Sequence, residues 1–297
     1  MAEEVTKIDH SLKKNNTGPQ SHIGIHLSGA NAHKTSVVFL HGNLVEGPLI
    51  IHKLHEKIGS IGGLYSDDRL VDLVLTSSNI MSIFVDSPLT VPPCVSCVRP
   101  TCPGAISCDD LMVAYMLHIN EKIRRLTRKR RRRPMNPQTH RLWDLWQMLY
   151  PSDYHSGEAT FSANLIPLVI RAKSFAKRLY HQSTSLLLKE TSVPQSLSIF
   201  AEYFCWDSND IQKKFRSFEH GLQYREKIIR ALIREGWLGP WNIDTHEIYQ
   251  QVTRSVENFQ ALITGLVAGF YQSGLCHEAP DEFLDKEGWI YLPQLSP

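Results

Sequence analysis

Residues 80–86 read IMSIFVD and run directly into Ser87 and Pro88. The run is nearly continuous in apolar residues and has the length of a strand, not of a helix. It therefore predicts a strand buried on both faces. Its last residue is Asp86, so the strand delivers one carboxylate to the end of a sheet. The rest of the fold reads outward from this point.

Upstream, IGIHLSG (23–29) is a short apolar run and TSVVFLHG (35–42) is rich in β-branched residues. Residues 49–54 give a third strand. The separations are those of hairpins. SDDRLVDLVLTSSN (66–79) opens with a serine and two aspartates, which signals a helix start. Leu70, Leu73 and Val74 then lie on one face of that helix. Downstream, residues 109–119 read as a helix, and 135–180 as mostly helical with a loop at 151–160. LLLKE (186–190) is a short strand that again ends in an acid, Glu190. Pro194 suits the first turn of a helix that runs to about Cys205. Helices follow at 221–235 and 246–273. In the last, Phe259, Leu262, Ile263, Leu266, Val267 and Phe270 recur at helical spacing. GWIYLP (288–293) closes the chain as an extended segment. A three-stranded antiparallel start followed by βα units predicts an α/β fold with one mixed sheet.

The chain has 297 residues, 42% hydrophobic and 21% charged, which suits a globular protein with a sizeable core. No run is long enough to span a membrane, and no sustained repeat is present. Residues 1–20 read as a flexible polar tail without the apolar segment of a secretory signal. A cytoplasmic protein without a membrane partner is expected. There is no G-x-S-x-G elbow, no P-loop and no G-x-G-x-x-G, so neither a serine hydrolase nor a nucleotide cofactor is implied.

Two local features carry chemistry. Cys94, Cys97, Cys102 and Cys108 lie in a loop over 92–108 rich in Pro and Gly, spaced C-x2-C-x4-C-x5-C. A reducing compartment disfavours disulfides, and four thiolates so close can surround one tetrahedral ion. Zinc or an iron–sulfur cluster fits, and four free thiols are the plain alternative. Cys205 and Cys276 read as small core residues. The second feature is a basic segment at 122–134, in which residues 122–133 hold nine of the 32 Lys and Arg. Arg124, Arg125, Arg128, Lys129, Arg130, Arg131, Arg132 and Arg133 have no acid or aromatic among them. Such a run gains by neutralising phosphates, which points to sequence-independent contact with nucleic acid. A charged insertion without a specific contact is the other reading, and a membrane-surface role a third.

The order of the pieces also carries a resemblance. IGIHLSGANAHKTSVVFL (23–40), IFVDSPLTVP (83–92), KETSVPQSL (189–197), ENFQALITGLVAGFYQSG (257–274) and EGWIYLP (287–293) occur in sequence. Together they resemble a widespread prokaryotic group of predicted nucleases with a ribonuclease H-like fold, domain of unknown function 429. The resemblance spans about residues 22–293. It implies a ribonuclease H-like domain over 21–297, with a helical insertion at about 135–184. It also implies a cleft where acids hold Mg²⁺ or Mn²⁺ for phosphodiester hydrolysis. The acid positions map onto His26, Asp86, Glu190 and Gln260, with Glu257 one turn before Gln260 as a substitute. Two of the four are therefore not acidic. The expectation is a nuclease-like protein whose cleft has lost about half its charge. The alternatives are a catalytically inactive nucleic-acid-binding module with a structural metal site, or a protein-interaction module.

Overall fold

Alternation along SHIGIH decides how the sheet is covered. In the computed structural model this is strand β1, Ser21–His26. The structure describes residues 19–29, 34–59, 66–126, 136–144, 165–278 and 289–295, with the backbone alone for 123–126. Side chains along a strand point alternately to opposite faces. Ile23 and Ile25 go to one face, where they join a buried apolar cluster. His22, Gly24 and His26 go to the other.

Strands β2 (Ser36–His41), β3 (Ile50–His55), β4 (Ile80–Val85), β5 (Leu188–Thr191) and β6 (Ile290–Tyr291) complete one sheet. Its order is β3-β2-β1-β4-β5-β6. The β1–β2 and β2–β3 pairs are antiparallel, and β1–β4, β4–β5 and β5–β6 are parallel. The α/β expectation, with a mixed sheet, is met.

Helices α1 (Ser66–Leu75), α2 (Pro93–Ser96), α3 (Leu111–Leu126) and α4 (Ile166–Gln182) come before β5. Helices α1 and α4 cover the Ile23 face through Leu70, Val71, Val74, Ala172, Phe175 and Leu179. Asp67 and Asp68, the acids that signalled the start of α1, pair with Arg171 and Arg178 of α4. The far end of the stretch read as an insertion is thus a covering helix of the sheet.

After β5 come α5 (Val193–Tyr203), α6 (Ser208–Lys214), α7 (Gly221–Arg234), α8 (His246–Arg254) and α9 (Val256–Gln272). Helix α9 lies across the other face of the sheet, against β1, β2 and β4. The contact is made possible by two glycines. A Cβ on Gly24 would sit 2.1 Å from the Gly265 nitrogen and 2.2 Å from the Ala261 carbonyl oxygen. A third cluster packs Met112, Met116 and Ile119 of α3 against Leu142, Trp143, Trp289 and Ile290. Trp143 and Trp289 meet edge to face at 4.5 Å.

Two expectations are corrected, and one helix is added. The single helix over 246–273 is two helices, because Ser255 is extended and its hydroxyl caps Asn258 at the start of α9. The carbonyls freed at the end of α8 are taken by the buried Arg225 guanidinium, which donates to Thr253 and Arg254. Cys205 is exposed, in left-handed backbone just after α5, and is not a core residue. Cys276 is buried as expected, with its thiol pushed up to about 12 by burial. Helix α6 was missed, although Asp207 caps it in plain sight by accepting from the Asn209 and Asp210 amides. Among the described residues no helix is long and apolar enough to cross a membrane.

Candidate site: a cleft at the ends of the parallel strands

In open α/β sheets the carboxyl ends of the strands frame the usual ligand crevice. Here β1, β4 and β5 end together around a cavity of about 280 Å³, lined by His26, Asp86, Arg141, Glu190, Gln195 and Gln260 among others. Four of the five residues expected at the site are therefore brought together.

Asp86 follows β4 directly and its amide donates to the Ile25 carbonyl, which locks it beside β1. Its Oδ1 accepts from the Val193 amide at 3.0 Å, at the first turn of α5. A carboxylate there is favoured by the helix dipole. Its Oδ2 accepts from Gln260 Nε2 at 3.3 Å and lies 3.8 Å from His26 Nδ1. That nitrogen is buried without a hydrogen bond.

Glu190 is about 3% exposed. It does not face solvent at the end of its strand. Both carboxylate oxygens accept from Arg141 Nη1, at 2.8 and 2.9 Å, and Oε2 also accepts from the Leu89 amide at 2.8 Å. Arg141 donates further to Thr90 Oγ1, and its amide donates to Asp144. Burial pushes the Glu190 carboxyl up from the usual range, and the guanidinium opposes that push. Arg141 was not anticipated. A buried carboxylate demands a cation, but nothing in THRLWD says that this arginine, about fifty residues earlier, supplies it.

Glu257 does not line this cleft. It sits on the first turn of α9, where Oε2 accepts from Ser255 Oγ at 3.0 Å and Oε1 is 4.0 Å from Lys34 Nζ. It belongs to a separate cavity with Lys34, Glu56 and Asn258.

These donors do not fit a two-ion site. Such a site must offset four positive charges with hard oxygen ligands. Here two of the four positions are imidazole and carboxamide. Of the two carboxylates, one is neutralised by arginine and the other is held by an amide and Gln260. Arg216 adds a further cation to the lining, and Asp144 a third carboxylate, which lies 3.6 Å from the Arg141 guanidinium. Among the described residues no group of three or more His, Cys, Asp or Glu is arranged to hold a metal ion.

Of the basic segment, Lys122 is exposed near the end of α3. Arg124 and Arg125 lie on the same helix without a described side chain. Arg128, Lys129, Arg130, Arg131, Arg132 and Arg133 lie outside the described residues. Cys94 is on α2, Cys97 follows it, and Cys108 follows a short 3₁₀ turn at Ala105–Ser107. Burial and the three other thiols around it push the Cys94 thiol up. The chain matches no family model, no curated protein and no solved structure.

Proposed function

We propose that the protein binds nucleic acid on a ribonuclease H-like scaffold whose cleft does not hydrolyse phosphodiesters with Mg²⁺. The observation that carries this reading is the Arg141 guanidinium on both oxygens of Glu190. A cation built into the position where a metal ligand is needed competes with the metal for the same lone pairs. His26 and Gln260 remove two more anionic ligands. The mixed sheet, with an antiparallel β1–β3 start and β4 and β5 added in parallel, supports this scaffold reading. The basic segment supplies the attraction to phosphates, without sequence preference.

The test uses intact protein with labelled single- and double-stranded DNA and RNA, read by fluorescence anisotropy and by gel in Mg²⁺ or Mn²⁺. Binding that weakens steeply with salt, without cleavage, is expected. Metal-dependent cleavage that disappears in Asp86→Asn would overturn the loss of hydrolysis. Absence of any salt-sensitive binding would overturn the nucleic-acid assignment.

A further inference from the structure

The loop that follows the cleft wall has a defined course but no core. No residue of 93–108 is buried. Val98 and Ile106 are almost wholly exposed. Helix α2 and the 3₁₀ turn after it contribute no buried side chain. Apolar burial, the usual source of loop order, therefore does not hold this segment. Its backbone bonds are mostly local, such as Val95 N to Pro92 O and Ser107 N to Gly104 O.

The loop carries four thiols within fifteen residues, although as they stand they are not arranged around a metal ion. Cys97, Cys102 and Cys108 all lie within electrostatic reach of Cys94. Cys97 and Cys102 are exposed, so turning them toward a common point costs little packing. Arg99, paired with Asp109, lies within electrostatic reach of Cys97 and Cys108. A cation there offsets the charge of a tetrathiolate centre, which is a dianion when it holds a divalent ion.

We infer that Cys94, Cys97, Cys102 and Cys108 form a structural zinc(II) site that fixes the wall of the cleft. On binding, Zn²⁺ forms four Zn–S bonds and the four thiol protons pass to solvent, with no change of oxidation state. A short loop without a core is where such an ion contributes most of the folding energy. The site reaches the cleft by two routes. The chain before it carries Leu89 and Thr90, which hold Glu190 and Arg141. The Cys94 amide donates to the Pro137 carbonyl at 3.1 Å, four residues before Arg141. Zinc would therefore set how firmly Arg141 sits on Glu190. This inference does not depend on whether the cleft binds nucleic acid.

The test is metal analysis of the intact chain purified in reductant, followed by Zn²⁺ competition against a chromophoric chelator. One zinc per chain is expected. Cys97→Ser combined with Cys102→Ser should weaken binding roughly 100-fold or more, while Cys205→Ser leaves it unchanged. Cobalt(II) in place of zinc gives the visible bands of a tetrahedral thiolate site if the protein is intact. This reads the four ligands directly, even if a serine variant folds poorly. Hydrogen exchange at 89–110 and 136–141 should slow when zinc is added. Sub-stoichiometric zinc, uptake equal in the double serine variant, or iron with sulfide in its place would overturn the site. Zinc bound without any change in exchange would overturn its link to the cleft.

Discussion

Arg141 and Glu190 each expose about 3% of their surface. Removing one member of such a pair leaves the other charge buried and alone, which costs more than the pair itself contributes. Arg141→Ala should therefore lower unfolding stability by about 3–5 kcal/mol, read by urea denaturation. Replacing both residues by Met should restore much of that loss. An Arg141→Ala protein as stable as the parent would mean that the guanidinium does not neutralise Glu190. His22 makes a second residue-level prediction. Its ring Nε2 donates to the Gly42 carbonyl and its Nδ1 meets Ser82 Oγ, both at 2.9 Å. Burial holds its imidazole below the ordinary value of 6.5. The unfolded chain thus takes up a proton that the folded chain refuses. The stability from neutral His22 is complete above 6.5 and is lost as pH falls through the lower folded value. Comparing denaturation at about pH 7.5 and about pH 5.5, His22→Gln should lose less stability on acidification than the parent. His41 and His55 are depressed in the same direction, so the difference between the two proteins is what counts.

At the scale of elements, the contact between β1 and α9 decides whether the cleft closes. Gly24→Ala places a methyl into the Gly265 and Ala261 backbone, which neither element can move aside. The expected cost is about 3 kcal/mol, measured by thermal or chemical unfolding. Gly265→Ala meets Leu40 Cδ1 at 3.2 Å and the Gly24 backbone nitrogen at 3.3 Å, a much milder approach than 2.1 Å, and should cost clearly less. A negligible cost for Gly24→Ala would mean that the two backbones are not in close contact. Strands were legible because IMSIFVD, TSVVFLHG and LLLKE state their length and burial locally. The break at Ser255 was not, because the apolar spacing of 249, 252, 259 and 262 runs on across it. What stops the helix is a side-chain cap and Arg225 from the preceding helix, nearly thirty residues earlier. The same limit hid Arg141. The carboxylates Asp86 and Glu190 announce themselves at strand ends, whereas their partners arrive through tertiary packing. Glu257 misled for the opposite reason. Its spacing suited the cleft, but the first turn of α9 keeps it beside Ser255 and Lys34.

For the whole molecule, charge is divided between a cleft whose carboxylates are held by arginine, glutamine and backbone amides and a basic segment apart from it in sequence. The proposed affinity for nucleic acid should come from the segment. Neutralising Arg130, Arg131, Arg132 and Arg133 should weaken binding similarly for all sequences and lower the salt slope by about 3. An unchanged slope would place the contact elsewhere. The cleft itself is predicted to be poor in divalent cations. The decisive measurement is calorimetric titration of Mg²⁺ into the intact parent and into the triple variant His26→Asp, Arg141→Gln, Gln260→Asp. The parent should show no saturable uptake. The triple variant, with its carboxylates freed and two more added, should take up Mg²⁺ and melt at a higher temperature in its presence. Saturable Mg²⁺ binding by the parent, abolished by Asp86→Asn, would contradict a cleft whose metal-binding lone pairs are already taken by Arg141, Gln260 and the α5 amide.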